Sequence, residues 1–189
     1  MIKNCILHFN TIVKHRWVVF KLCCRVGMPW RGFLHDLSKF SPTEFWEGVK
    51  YYQGSRSPIL ACREKEGYSK AWLHHRGRNK HHAAYWHDMY SKDASPIIPY
   101  KYVAEMICDK IAASITYNGK KWTEVLPMEH WNHRSDTEIL NPKINAVLTE
   151  TFQMVAVYGI KFLTKRNIKD IYNKHVNGVE DVREIISQG

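Results

Sequence analysis

Ile98–Gly119, "IPYKYVAEMICDKIAASITYNG", is the stretch on which the reading of the fold turns. Val103, Met106, Ile107, Ile111 and Ile115 recur three and four residues apart, which places them on one side of a helix, and Gly119 follows as a stop. Working outward, the same period returns in "NPKINAVLTETFQMVAVYGIKFL" (residues 141–163) and upstream over residues 3–26, where Ile6, Phe9, Val13, Trp17, Phe20 and Cys24 form an apolar series ending near Gly27. "WRGFLHDLSKF" (residues 30–40) reads as a second helix. Ser41 then serves as N-cap, with Pro42 in the first turn and Glu44 reaching back as a capping box. "SRSPILACREKEGYSKAWLHH" (residues 55–75) reads as helical with a break near Gly67, and "NKHHAAYWHDMYSK" (residues 79–92) as a further helix. Period-two alternation of the strand type is almost missing. The expectation is an all-α helical bundle over residues 1–164, followed by a polar tail (165–189) with one weak amphipathic series, packed loosely.

A chain of 189 residues that is 44% hydrophobic can bury a real core in one domain. Lysine and arginine exceed the acidic residues by 28 − 18 = 10, a surface that favours anionic partners such as phosphorylated metabolites, nucleotides or nucleic acid. Five cysteines (Cys5, Cys23, Cys24, Cys62, Cys108) without a CxxC pair argue against a disulfide framework and a cysteine zinc site, and a reducing cytoplasm is the simplest setting. The apolar N-terminal stretch is interrupted by Lys3, His8, Asn10, Lys14, His15 and Arg16, so neither a signal-peptide core nor a membrane span is expected, and no membrane partner.

The chemistry sits in an ordered series: His15, His35-Asp36, the doublets His74-His75 and His81-His82 in "WLHHRGRNKHH", and Asp109 inside the strongest helix. Imidazole and carboxylate together suit a divalent transition metal (Mn, Fe, Zn, Ni or Co), and an aspartate can bridge two. Adjacent His35 and Asp36 stand about 100° apart on a helix, so they converge only if the helix end turns into the site. The doublets lie seven residues apart, about 10 Å along a continuous helix, which calls for two neighbouring metals or a break at Gly77. Lys39, four residues after His35, is expected beside it on the same helix face, where it can hold a phosphate oxygen as a point charge. Arg78, Asn79 and Lys80 are candidates for binding an anionic substrate.

This set resembles the HD-domain superfamily of metal-dependent phosphohydrolases. "HDLSK" is similar to that superfamily's HD-x-x-K segment, and "HRWVV" to its first-helix histidine motif. "HDLSKFSPTEF", "GRNKHH" and "EMICD" more closely resemble a family of small bacterial and phage proteins; the likeness spans about residues 8–120. The superfamily resemblance implies a helical bundle around one or two metals, with a metal-activated water attacking a phosphorus ester. It matches His15, His35, Asp36 and Asp109 to the residues that bind the first metal, and makes Asp36 and Lys39 the catalytic pair. His75 and His82 are assigned as the added histidines of two-metal members, with His74 and His81 open in their place. Because two-metal members include iron oxygenases, a di-iron oxygenase is an alternative to hydrolysis of a nucleotide or other small phosphate ester. A third reading makes "HHRGRNKHH" a basic surface loop on nucleic-acid phosphates, binding without catalysis. Singly, each residue has an ordinary role: His15 at the surface, Glu44 as a cap, Trp72, Tyr85 and Trp86 in the core, His8 beside the ligands, and His130, His133 and His175 incidental. The ordered set favours the enzyme, since phosphate contacts alone do not require Asp36 and Asp109.

Overall fold

The structure is a computed structural model that describes residues 1–90, 95–133 and 138–178. Every regular element among the described residues is helical: α1 (Ile2–Arg25), α2 (Pro29–Leu34), a 3-10 turn (Leu37–Phe40), α3 (Pro42–Lys50), α4 (Pro58–Glu66), α5 (Lys70–Arg76), α6 (Ala83–Trp86), α7 (Tyr100–Asn118), α8 (Leu126–Asn132), α9 (Pro142–Tyr158), α10 (Lys165–Tyr172) and a π turn (Asn173–Asn177), with a 3-10 turn after each of α7 and α9. The all-α bundle read from the sequence is the fold.

Helix α7 is its axis. All six residues from Val103 to Cys108 are buried, so this helix is covered on every side, with α1, α8, α9 and α10 packed around it. Val19 and Cys23 of α1, Ile107 and Ile111 of α7, and Ile144, Leu148 and Phe152 of α9 are sealed from solvent in one core. The helix starts follow local chemistry. Asn141 accepts the Lys143 N–H at 3.1 Å with Pro142 at the first position of α9, and Ser69 accepts the Trp72 N–H at 2.9 Å to open α5. At α3 only half of the expected capping box forms. The Glu44 N–H donates to Ser41 Oγ at 3.4 Å, but the Glu44 carboxylate turns to histidines of α5 instead of the cap.

Three expectations are corrected. The series Ile6, Phe9, Val13, Trp17 and Cys24 is the solvent face of α1, with Phe20 half-buried. The buried face carries His8, Ile12, His15, Val18, Val19, Leu22 and Cys23. Both series repeat at helical spacing, and periodicity identifies a face without saying which way it points; the histidines on the inner face disguised it. The helix expected over residues 79–92 is reduced to the single turn of α6, and residues 91–92 lie outside the described residues. The tail from Lys165 does not pack loosely over its described part. Thr164 caps α10 by accepting the Asn167 N–H at 3.2 Å, Ile168 is fully buried, Ile171 and Tyr172 join the same core, and the Tyr172 hydroxyl donates to the Ile98 carbonyl at 2.9 Å. Residues 179–189 lie outside the described residues. All five cysteines are free, and among the described residues no helix is long and apolar enough to cross a membrane.

If α10 belongs to the core, Ile168→Ala leaves a cavity and lowers unfolding stability by about 2–5 kcal/mol in a denaturant titration. A loss below about 0.5 kcal/mol, the range of surface substitutions, would return the tail to a loose appendage.

Candidate metal centre

Helix α2 stops at Leu34, and the chain turns through His35 into Asp36, the only non-glycine residue with positive φ among the described residues (φ 54°). A left-handed aspartate costs about 1–2 kcal/mol, and such strain persists where the surroundings demand it. Here it aims two adjacent side chains at one point. Arg16 of α1 fastens the turn by donating to the carbonyls of His35 at 2.8 Å and Phe33 at 2.7 Å. Helix α5 ends at Arg76, and the chain folds back from Gly77 with Arg78 and Asn79 N–H groups on the His75 carbonyl. This break brings His75 Nε2 within 2.8 Å of His82 Nε2.

Two four-residue ligand groups result, His15, His35, Asp36 and Asp109, and then Asp36, His75, His81 and His82, beside a smaller group of His35, His81 and Glu105; within each the donor atoms lie within 4.8 Å of one another. Asp36 belongs to both. Its Oδ2 is 3.3 Å from His35 Nε2 and 3.9 Å from His15 Nε2; its Oδ1 is 3.3 Å from His75 Nε2 and 3.4 Å from His81 Nε2. Asp109 closes the first group, with Oδ1 3.0 Å from His15 Nε2 and 3.4 Å from His35 Nε2, while its Oδ2 lies 3.8 Å from His81 Nε2. Metal–nitrogen and metal–oxygen bonds of about 2.0–2.2 Å place neighbouring donors roughly 3.0–3.5 Å apart, so most of these spacings suit shared coordination.

The hydrogen bonding supports the same reading. His15 Nε2, His35 Nε2, His81 Nε2 and Asp36 Oδ1 are buried without a hydrogen-bond partner. A buried polar atom left this way costs about 1–3 kcal/mol, and four of them converge on one spot. The opposite edges of the rings are satisfied. His35 Nδ1 donates to Glu105 Oε1 at 3.1 Å, and His75 Nδ1 to Glu44 Oε2 at 2.7 Å. His81 Nδ1 stands 3.4 Å from Glu105 Oε1, and Arg31 holds the other Glu105 oxygen at 2.6 Å and 2.8 Å. A carboxylate on Nδ1 fixes a proton there and turns Nε2 toward the cluster, which is how outer carboxylates orient metal-binding histidines. The residues present therefore fit one or two divalent transition metals.

Burial by itself would raise the Asp36 carboxyl pKa, but His35, then Lys39 and His75, hold it well below the ordinary carboxylate value. Burial would raise Asp109 likewise, but the adjacent His15 and His35 imidazoles hold it well below. Burial also opposes protonation of His35; Asp36, then Asp109 and Glu105, reverse this and raise its pKa. Glu105 is pulled down to about 2 by His35 and His81 against the effect of burial. Burial lowers His15 and, reinforced by His81, lowers His82 further, keeping those rings in the neutral form a metal needs.

All six expected ligands (His15, His35, Asp36, His75, His82, Asp109) meet in the cluster. His81, held open as an alternative, joins with His82 instead of replacing it, whereas His74 turns out to Glu44 at 2.6 Å. Glu105 and Glu44 were missed as supporting carboxylates. Glu105 was findable: it precedes Asp109 by one helical turn on the same face. Lys39 does not share a helix face with His35, because the helix has ended; its ammonium pairs with Asp36 Oδ2. Asn79 is a brace, donating to Ser38 Oγ at 2.9 Å and the His75 carbonyl at 2.8 Å. Arg78 is exposed and reaches the His74 carbonyl, and Lys80 lies over the rings of Tyr85 and Tyr102. His8 is buried beside the ligands without joining them, its ring packed so closely on Gly48 that a Cβ there would fall 2.1 Å from Nε2.

Two adjoining cavities, of about 450 and 220 Å³, open onto the cluster and share Ser57, Ile59, Trp72, His82, Asp109 and Ala113. The smaller one reaches His15, Lys39 and His75. Arg78, Asn79 and Lys80 line a third cavity of about 300 Å³, which meets the cluster from another side through His35, Asp36, His81 and Glu105 and shares only His81 with the first two.

No curated protein and no solved structure matches the chain. Residues 5–154, which span every candidate ligand, match the model of a family described as "Family of unknown function (DUF5662)", and the chain belongs to that family.

Proposed function

We propose that the protein is a metal-dependent phosphohydrolase acting on a small phosphate ester of nucleotide size. The observation that carries the reading is the shared Asp36 carboxylate, flanked on each oxygen by histidine nitrogens whose far edges are held by Glu105 and Glu44. Divalent metals at such a site supply Lewis-acid charge that activates water and polarises a phosphoryl oxygen. The chain's own groups supply the rest. Asp36 and Asp109 are anionic at neutral pH and available to ligate or accept a hydrogen bond. Lys39 lies at the wall of the smaller cavity, where its ammonium offsets charge on a phosphoryl group. Trp72 lines both cavities and offers a flat apolar wall to an organic moiety. The larger cavity falls within the size range of small-molecule sites. Arg78, turned to the His74 carbonyl, and Lys80, over the rings of Tyr85 and Tyr102, stand on the wall of the third cavity and add background positive charge there. The inward histidines of "HHRGRNKHH" count against a loop that tracks nucleic-acid phosphates, since His75 and His81 are buried.

Metal analysis of the purified chain should find up to two transition-metal ions per molecule. His15→Ala is expected to remove about one, and Asp36→Ala both, because one carboxylate serves both groups. Full retention by Asp36→Ala would remove the basis of the proposal. Glu105→Gln, which keeps size but weakens the hold on His35, should lower metal affinity by about 10–100-fold while the fold persists, the usual cost of losing an outer carboxylate.

A screen of nucleotides and simple phosphate esters with Mn, Fe, Zn, Ni or Co then tests the reaction. With an active substrate, His75→Ala should lower kcat far more than it raises KM, because the lost interaction operates in the transition state. Lys39→Ala should affect both, and Arg78→Ala should change kcat/KM by less than about threefold, below about 0.7 kcal/mol. Phosphate release that survives Asp36→Ala and chelation would assign the activity to something else.

A further inference from the structure

Helix α1 has two faces with different destinations. One carries His15 into the cluster. The other exposes Ile2, Ile6, Phe9, Val13 and Trp17, a continuous apolar stripe on solvent. The stripe runs on through the contact of Phe9 with Phe40 at 5.8 Å to Trp30, Phe33, Leu34 and Leu37, which α2 and its following turn also expose. Trp17 is 58% and Trp30 77% exposed, and a folded protein rarely leaves two tryptophans and so many aliphatic side chains together in water without a partner for them.

The charges around the stripe indicate which partner. Residues 1–35 contain six Lys or Arg and no Asp or Glu, so this segment holds 6 − 0 = 6 of the chain's net 28 − 18 = 10 positive charges. At about 100° per residue, Lys3, Lys14, Lys21 and Arg25 fall together along one edge of the stripe. A second copy of the same face would set Lys3, Lys14, Lys21 and Arg25 against the same four cations. A nucleic acid would satisfy the cations and leave the aliphatic side chains in water. A bilayer rich in anionic lipid offers negative headgroups directly above hydrocarbon, the arrangement that a tryptophan-bearing apolar stripe with a lysine border complements.

We propose that the outer face of α1, continued by α2 and the Leu37–Phe40 turn, is a docking surface that lays the protein on anionic membranes. The expectation of no membrane partner rested on the lack of a spanning run, and a helix lying in the interface needs none. The proposal is independent of what the metal cluster does.

Sedimentation of the full chain with lipid vesicles tests it. The chain should pellet with vesicles of phosphatidylcholine containing about one-third phosphatidylglycerol, and much less with phosphatidylcholine alone. Bromine-labelled acyl chains should quench tryptophan fluorescence of the unmodified protein, a readout that needs no variant. The Trp17→Ser/Trp30→Ser double variant, altered only at exposed positions, should bind at least about tenfold more weakly and lose most of that quenching, while its circular dichroism is unchanged. Lys3→Gln with Lys21→Gln should weaken binding roughly fivefold per cation removed, and added salt should act in the same direction. Absence of pelleting, equal binding to neutral vesicles, or equal binding by the tryptophan variant would overturn the proposal. So would a dimer of the wild-type chain that Trp17→Ser dissociates, because the stripe would then be covered by a second copy.

Discussion

The Asp36 carboxylate is a full negative charge buried within the bundle, and much of the structure follows from keeping it there. An unpaired buried carboxylate would take up a proton or unfold its surroundings. Asp36 is instead met by imidazoles from four directions and by the Lys39 ammonium. Meeting it requires α1 to present His15 inward, α2 to stop early, α5 to break at Gly77, and α7 to run past with Asp109. The left-handed backbone at Asp36 is the local cost of that convergence. The four orphaned donor atoms show that protein partners alone leave the arrangement incomplete.

A second layer gives the cluster its direction. Glu105 and Glu44 come from different helices, and each takes the Nδ1 side of a histidine. Arg31 in turn neutralises Glu105, so the charges alternate outward from the centre: carboxylate, imidazole, carboxylate, guanidinium. Such alternation lets several ionisable groups stay buried together, and it ties α2, α3, α5 and α7 to the site through charge as well as apolar contact.

The members of the cluster stood out in the sequence because histidine and aspartate are costly inside helical faces and recur there in an ordered series. His81 was not separable from His82, since adjacent residues at a chain reversal have no fixed angular relation until the turn is known. Glu44 was masked by a position that also suits a cap. Helix α7 was evident from its strong period. The orientation of α1 was not, because two apolar stripes compete on one helix and the more hydrophobic one faces water. The tail looked too polar to pack, yet Ile168, Ile171 and Tyr172 on one side of a short helix suffice to close the core over α7 and α9.

The account rests on Asp36 as a carboxylate shared between two metal positions. Anomalous diffraction from crystals grown with Mn or Zn, recorded on both sides of the metal's absorption edge, reads this directly. The account predicts peaks on either side of the Asp36 carboxylate, one among His15, His35 and Asp109 and the other among His75, His81 and His82. Metal bound only at surface histidines such as His130 or His133, with the Asp36 pocket free of anomalous signal, would contradict it.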